Sequence, residues 1–207
     1  PQIEDCLIQS NKAYSAGAGI CNTNSSPVFR RCQIRNNGPV QNYSINGGGI
    51  SCGPSGAPVL EDCLIEANSA ELGGGIYCVD SSPTFRRTTI ARNVSAHQGG
   101  GLACQNCTTL LDRCMILSNS ASLWLGGGMW AYQGSLILQN SMVRDNKATN
   151  NNAANNGGGV FTDGTTGTIR NCTFLQNIGG GCHLSGNLTL CNSILWSNSP
   201  DQVIASS

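Results

Sequence analysis

Apolar and polar positions along this chain fall into short alternations, not helical stripes. Phe29, Cys32 and Ile34 form one such run, and Ile50 with Cys52 begins the next. Runs this short, rich in Ile, Val and Phe and punctuated by Gly and Pro, predict strands, and no window presents an amphipathic helix. One phrase recurs throughout: an apolar residue, two variable residues, then Asn. It reads Ile8-Gln9-Ser10-Asn11 at the start and Leu195-Trp196-Ser197-Asn198 at the end, with Asn37, Asn68, Asn93, Asn119, Asn146 and Asn177 between. A glycine run followed by an apolar residue comes after seven of the eight, as in Gly73-Gly74-Gly75-Ile76. Successive units are 26, 31, 25, 26, 27, 31 and 21 residues long. That period without helices predicts a parallel β-helix of about eight coils, built as a single domain over residues 1–207. Leucine-rich repeats share the period but need a Leu-x-x-Leu-x-Leu frame, which is missing.

The physics of stacked coils assigns the repeated residues. Coils separated by about 4.8 Å would make a rod on the order of 40 Å long. The glycine triplets are expected to form corners with positive φ or close backbone approach. The eight Asn are expected to stack as a structural ladder, each amide meeting its neighbours above and below, with left-handed backbone tolerated at the Asn itself.

Composition and charge narrow the function classes. Eleven basic and eleven acidic residues cancel, so no basic excess points to nucleic acid. No apolar run approaches membrane-spanning length, and the first residues carry no charged-then-apolar leader. The few charges fall in phase: Glu4-Asp5, Arg30-Arg31, Glu61-Asp62, Arg86-Arg87 and Asp112-Arg113. Acidic and basic coils therefore alternate, which predicts a cross-coil ion-pair ladder. It fades after Arg113.

The 12 cysteines are phased as well. Cys6, Cys32, Cys63, Cys114 and Cys172 share one coil position, which Thr88, Ser141 and Ser193 complete. Cys52, Cys78 and Cys104 share a second. Stacked in-register cysteines have parallel Cβ vectors, poor geometry for a bridge, so buried free thiols are favoured over disulfides. Cys104-Gln105-Asn106-Cys107 has metal-ligand spacing, but no second pair completes a zinc site, and no metal or cofactor is expected.

At the Asn and glycine phrases the chain resembles the repeat of chlamydial polymorphic outer membrane proteins and related secreted β-helix proteins of environmental bacteria. Phe174-Leu175-Gln176-Asn177 is the family phrase in strict form. Gly49, Gly75 and Gly101 stand where that family often has Ala, and residues 192–201 resemble a last coil of the environmental relatives. The resemblance covers nearly the whole chain. It implies a right-handed parallel β-helix, export, and a passenger role on a bacterial cell surface, the chain being a segment of a longer exported protein without the family's barrel.

Length variation between the Asn and the glycines is concentrated in residues 38–46 and 147–156, against the single Ile178 in another coil. Solenoid insertions collect on one edge, often the binding edge, which here carries Tyr14, Tyr43, His97 and Trp124. The strand after the glycines adds an outward column of Cys21, Ser51, Tyr77, Ala103, Trp130, Phe161 and His183, with Tyr132 on the Trp130 strand. Tyr14, Tyr43, Trp124, Trp130, Tyr132 and Phe161 are accordingly the candidate contacts for glycans or surface proteins. Coil ends without an amphipathic cap predict end-to-end self-association. Polysaccharide hydrolysis or lyase chemistry would need converging carboxylates, whereas the in-phase acids sit in the ion-pair ladder and His97 and His183 lie in different phases. The reading therefore leans to a non-catalytic adhesive or structural spacer, with a polysaccharide-binding or polysaccharide-degrading domain as the alternative.

Overall fold

A computed structural model describes residues 1–41, 44–149 and 156–206. Tyr43 lies outside the described residues. Every strand pairing is parallel, each strand lying against its equivalent one coil on. Eight strands from Leu7–Gln9 to Ile194–Trp196 stack in order as one wall. A second wall begins with Gln2–Glu4, and a third with Ile20–Asn22. Leu102–Asp112 and Met129–Gln139 run unbroken through the second and third walls, which therefore join as one sheet. Short pairs such as Ser69–Ala70 with Val94–Ser95 carry the chain along the remaining edge. The result is the parallel β-helix that the repeat predicts.

The core follows from side-chain alternation. Ile34, Ile65, Ile90, Ile116, Val143 and Phe174 form one fully buried inward column, and Phe29, Leu60, Phe85, Leu111, Leu138 and Ile169 form another. Neighbours in each column are register partners, so like stacks on like from coil to coil.

The Asn ladder is continuous. Asn93 donates its backbone N–H and its Nδ2 to Asn119 Oδ1, both at 3.0 Å, and Asn119 does the same to Asn146. The second Nδ2 hydrogen of Asn119 goes inward to the Ile90 carbonyl at 2.9 Å. The same three bonds recur from Asn37 to Asn177, all buried. At the C-terminal end Asn198 donates to Gln202 Oε1, at 3.3 Å from its N–H and 2.8 Å from Nδ2. Gln202 thus takes the acceptor position that the next Asn holds at the other rungs.

One corner expectation needs correction, and the other divides between residues. The left-handed residue is not the Asn but the one before it: Ser10, Asn36, Ala67, Arg92, Ser118, Asp145, Gln176 and Ser197 all have φ near +55° (52° to 59°). The Asn itself is consumed by the ladder. In the glycine triplets from Gly47 to Gly157 only the first residue has positive φ, as at Gly73 (60°), while Gly179 and Gly180 both have it (98°). The third member is glycine for another reason: a Cβ on Gly75 would lie 2.6 Å from the Gly101 carbonyl oxygen and 2.9 Å from the Asn93 amide. The ladder leaves no room for a side chain there.

A second left-handed corner precedes the first cysteine column, from Asp5 through Arg31, Asp62, Arg87 and Arg113 to Asn192. The column residue closes it by donating to a carbonyl two residues back: Cys32 to Arg30 at 3.3 Å, Thr88 to Arg86 at 3.1 Å, Ser141 to Gln139 at 2.6 Å. Cys, Thr and Ser interchange because each is a small donor, not merely small. All twelve cysteines are free thiols. Burial pushes Cys63 and Cys114 up to about 11, so both are neutral at physiological pH.

The corner residues carry the ion-pair ladder on the outside. Arg30 bridges Glu4 and Glu61, each at 3.1 Å, Arg31 holds Asp5 at 2.7 Å, and Arg87 holds Asp62 at 2.7 Å. Beyond Asp112 the charges fade but the contacts continue with amides. Asn140 and Gln139 donate to Asp112 at 2.8 and 3.1 Å, and Arg170 donates to Gln139. Contrary to expectation, the step from Arg86 and Arg87 to Asp112 carries no direct ion pair among the described residues, and the next rung is an amide–carboxylate contact.

Two outcomes test these ladders. Asn119→Ala strands two Asn93 donors and the Ile90 carbonyl in the interior and should cost about 3–6 kcal/mol in chemical denaturation, against about 1 kcal/mol for Asn11→Ala at the exposed end. Hydrogen bonds from Arg30, Arg31 and Arg87 hold Glu4, Asp5, Glu61 and Asp62 below the ordinary carboxylate range. A depressed folded-state value stabilises above the unfolded pKa and is lost as pH falls through the folded one. Melting temperature should therefore hold down to about pH 5 and drop below about pH 4. The drop should be shallower in an Arg31→Gln/Arg87→Gln variant.

Candidate functional site

The candidate contact residues resolve into separate groups. Tyr14 is 65% exposed on the first coil, and Trp124 is 49% exposed on the same edge four coils on, roughly 19 Å away at the strand spacing. The Trp124 ring lies 5.8 Å from the His97 ring at a tilt of 56°. His97 Nδ1 is 3.3 Å from Glu71 Oε1. Glu71 and His97 line a cleft of about 260 Å³ with Pro39, Ser44, Ala70 and Ala96. Sequence reasoning passed over Glu71, although it and His97 stand two residues before their glycine runs and so share one phase.

The second group lies on the third wall. Trp130 and Tyr132 project from the same face of one strand, with rings parallel to within 3° and centroids 5.8 Å apart. Phe161 pairs in register with Trp130, and His183 with Phe161. The Phe161 and His183 rings stack at 4.6 Å. The aromatic row therefore crosses three coils, but its rings face one another more than they face solvent. All four residues are half-buried.

The rest of that outward column is not a surface. Ser51, Tyr77 and Ala103 are buried, against expectation. Ala103 sits in register between Tyr77 and Trp130, whose larger rings cover its methyl group. The Tyr77 hydroxyl donates to Gln105 Oε1 at 3.4 Å, turning that ring along the wall. Cys21 remains exposed.

The in-phase carboxylates are occupied elsewhere. Asp112 is held below its ordinary value, first by the Asn140 hydrogen bond, and Glu66 pairs with Arg92. Among the described residues no group of three or more His, Cys, Asp or Glu is placed to hold a metal ion. A further cleft, of about 380 Å³, lies at the C-terminal end between Leu195, Trp196, Ser197 and Gln202.

Residues 2–147 match the family model for the right-handed β-helix region. The chain belongs to the right-handed β-helix family. No curated protein matches it. For this β-helix the family model supports handedness and repeat architecture. No helix is long and apolar enough to cross a membrane among the described residues.

The placement of the three tryptophans is open to a direct check. Acrylamide should quench Trp124 and Trp196, which is 69% exposed, more strongly than the stacked Trp130. Trp130→Phe should accordingly remove the least quenched part of the emission.

Proposed function

We propose that this β-helix is a non-catalytic rod, a spacer or passenger of an exported bacterial protein resembling the polymorphic outer membrane proteins, that presents an aromatic face to glycans or surface proteins outside the cell. The observation that carries the reading is the Trp130–Tyr132 and Phe161–His183 row on a single wall. Half-buried aromatic rings beside polar tips suit a partner that offers both apolar faces and hydroxyls. The strands beneath them are paired on both sides, so the row is held without loop ordering on binding. The outer-edge carboxylates support a non-catalytic role. Arginine hydrogen bonds hold several of them ionised, the wrong state for a general acid near neutral pH. End-to-end association of copies belongs to the same reading, through exposed coil faces.

The test is glycan-array binding with purified protein, repeated with Trp130→Ala/Tyr132→Ala and with Trp124→Ala. The double variant should lose roughly tenfold in affinity, the scale of an aromatic contact, while Trp124→Ala changes little. Binding that survives the double variant overturns the aromatic face, and cleavage of a bound polysaccharide overturns the non-catalytic assignment.

A further inference from the structure

Inside the rod, sulfur atoms gather at one corner. Cys52, Cys78 and Cys104 are register partners in successive coils, all fully buried. The Cys78 thiol lies between the thiols of its two neighbours. The next coil carries Ala131 at this position, which ends the column. At Cys104 the chain turns: Asn106 is left-handed (φ 54°), and Cys107 again points inward at 3% exposure. Cys104 and Cys107 are thus both buried on the inner side of one corner, and the Thr109 hydroxyl donates to the Cys104 sulfur at 3.4 Å. The Ser81 hydroxyl lies 3.5 Å from the Cys107 sulfur on the other side.

These sulfurs do not have equivalent geometry. Cys78 and Cys104 stack in register, so their Cβ vectors run parallel and resist bridging. Cys104 and Cys107 belong to one coil, three residues apart across the left-handed Asn106 with both side chains buried, so they are not held apart by the in-register stacking. They also differ in reactivity. Hydrogen bonds from Cys107, Cys78 and Thr109 hold the Cys104 thiol below its ordinary value, the condition for a nucleophilic sulfur. Its contact with Cys104, together with burial, raises Cys107.

We propose that Cys104 and Cys107 are a peroxide-reactive dithiol that closes to a disulfide within the corner. Burial selects the oxidant. Exposures of 2% and 3% shut out bulky disulfides, whereas hydrogen peroxide is close to water in size. The Cys104 thiolate attacks one peroxide oxygen; the S–O bond forms, the O–O bond breaks, and the departing hydroxide takes up the proton that Cys104 released, leaving a sulfenic acid and water. The Cys107 sulfur then displaces the hydroxyl. The S–S bond forms, the S–O bond breaks, and the Cys107 proton leaves with the hydroxide as a second water. Each sulfur gives up one electron and the peroxide takes both.

Trypsin isolates the pair, because peptide 93–113 contains only Cys104 and Cys107. Folded protein is treated with a few equivalents of hydrogen peroxide, unfolded in excess iodoacetamide, digested and weighed. Peptide 93–113 should be lighter by two hydrogens and carry no alkyl group, while buried Cys63 and Cys114 stay alkylated. Cys107→Ser should abolish the bridge and leave a Cys104 sulfenic acid that dimedone traps. Serine is accommodated there, since Ser81 fills the equivalent position one coil earlier. Cys78→Ser should leave the bridge intact. Full alkylation of peptide 93–113 under conditions that oxidise exposed Cys6 and Cys21 would overturn the proposal. A bridge joining Cys104 to Cys78 would do the same.

Discussion

The buried amide ladder is the interaction on which this molecule depends. A buried amide is costly when left unpaired, and each ladder Asn meets that demand through the side chain of the adjoining rung and a carbonyl of the preceding coil. Each rung therefore fixes its neighbour. Repeat lengths vary from 21 to 31 residues, yet the Asn positions stay in register, so the variation goes into the edge before the glycines. The glycine closest to each rung cannot be anything larger, because the amide and the next coil's carbonyl fill the space of a Cβ. Gln202 extends the same logic, supplying to Asn198 the oxygen that an Asn supplies at the other rungs.

A second constraint runs along the outside. The corner ahead of the cysteine column needs a left-handed residue, and that residue points its side chain outward. Stacking like charges at this position would set them one strand spacing apart. Alternation of acid and base converts the repulsion into paired contacts, and Asn140 and Asn171 show that amides serve as well. Each exposed pair contributes little. Their joint effect is to penalise a slipped coil, which would bring like charges together.

The two ladders leave the third wall freest to vary in its outward residues, and the aromatic row is there. A binding role on that wall is compatible with the ladders because its outward side chains take no part in either. The Cys104–Cys107 corner is likewise free of ladder duty. Its sequence departs from Cys78 and Ser81 one coil earlier and from Ala131 and Gly134 one coil later.

Spacing alone was enough to read the coil count, the Asn ladder, the burial of the phased cysteines from Cys32 to Cys172 and the ion pairs as far as Arg87. All follow from the stacking of equivalent residues in successive coils, and a repeat period states which residues are equivalent. The period is silent on contacts between non-equivalent residues. Whether Tyr77 covers Ala103, whether Trp130 stacks on Tyr132 or on Phe161, and which corner residue turns left-handed all depend on the bulk and rotamers of neighbours. Gln202 acting as an Asn, the Glu71–His97 cleft and the meeting of Cys104 with Cys107 are of the same kind. In a solenoid, equivalence between coils is written in one dimension, while the filling of space around a particular residue is settled only when the coils are stacked.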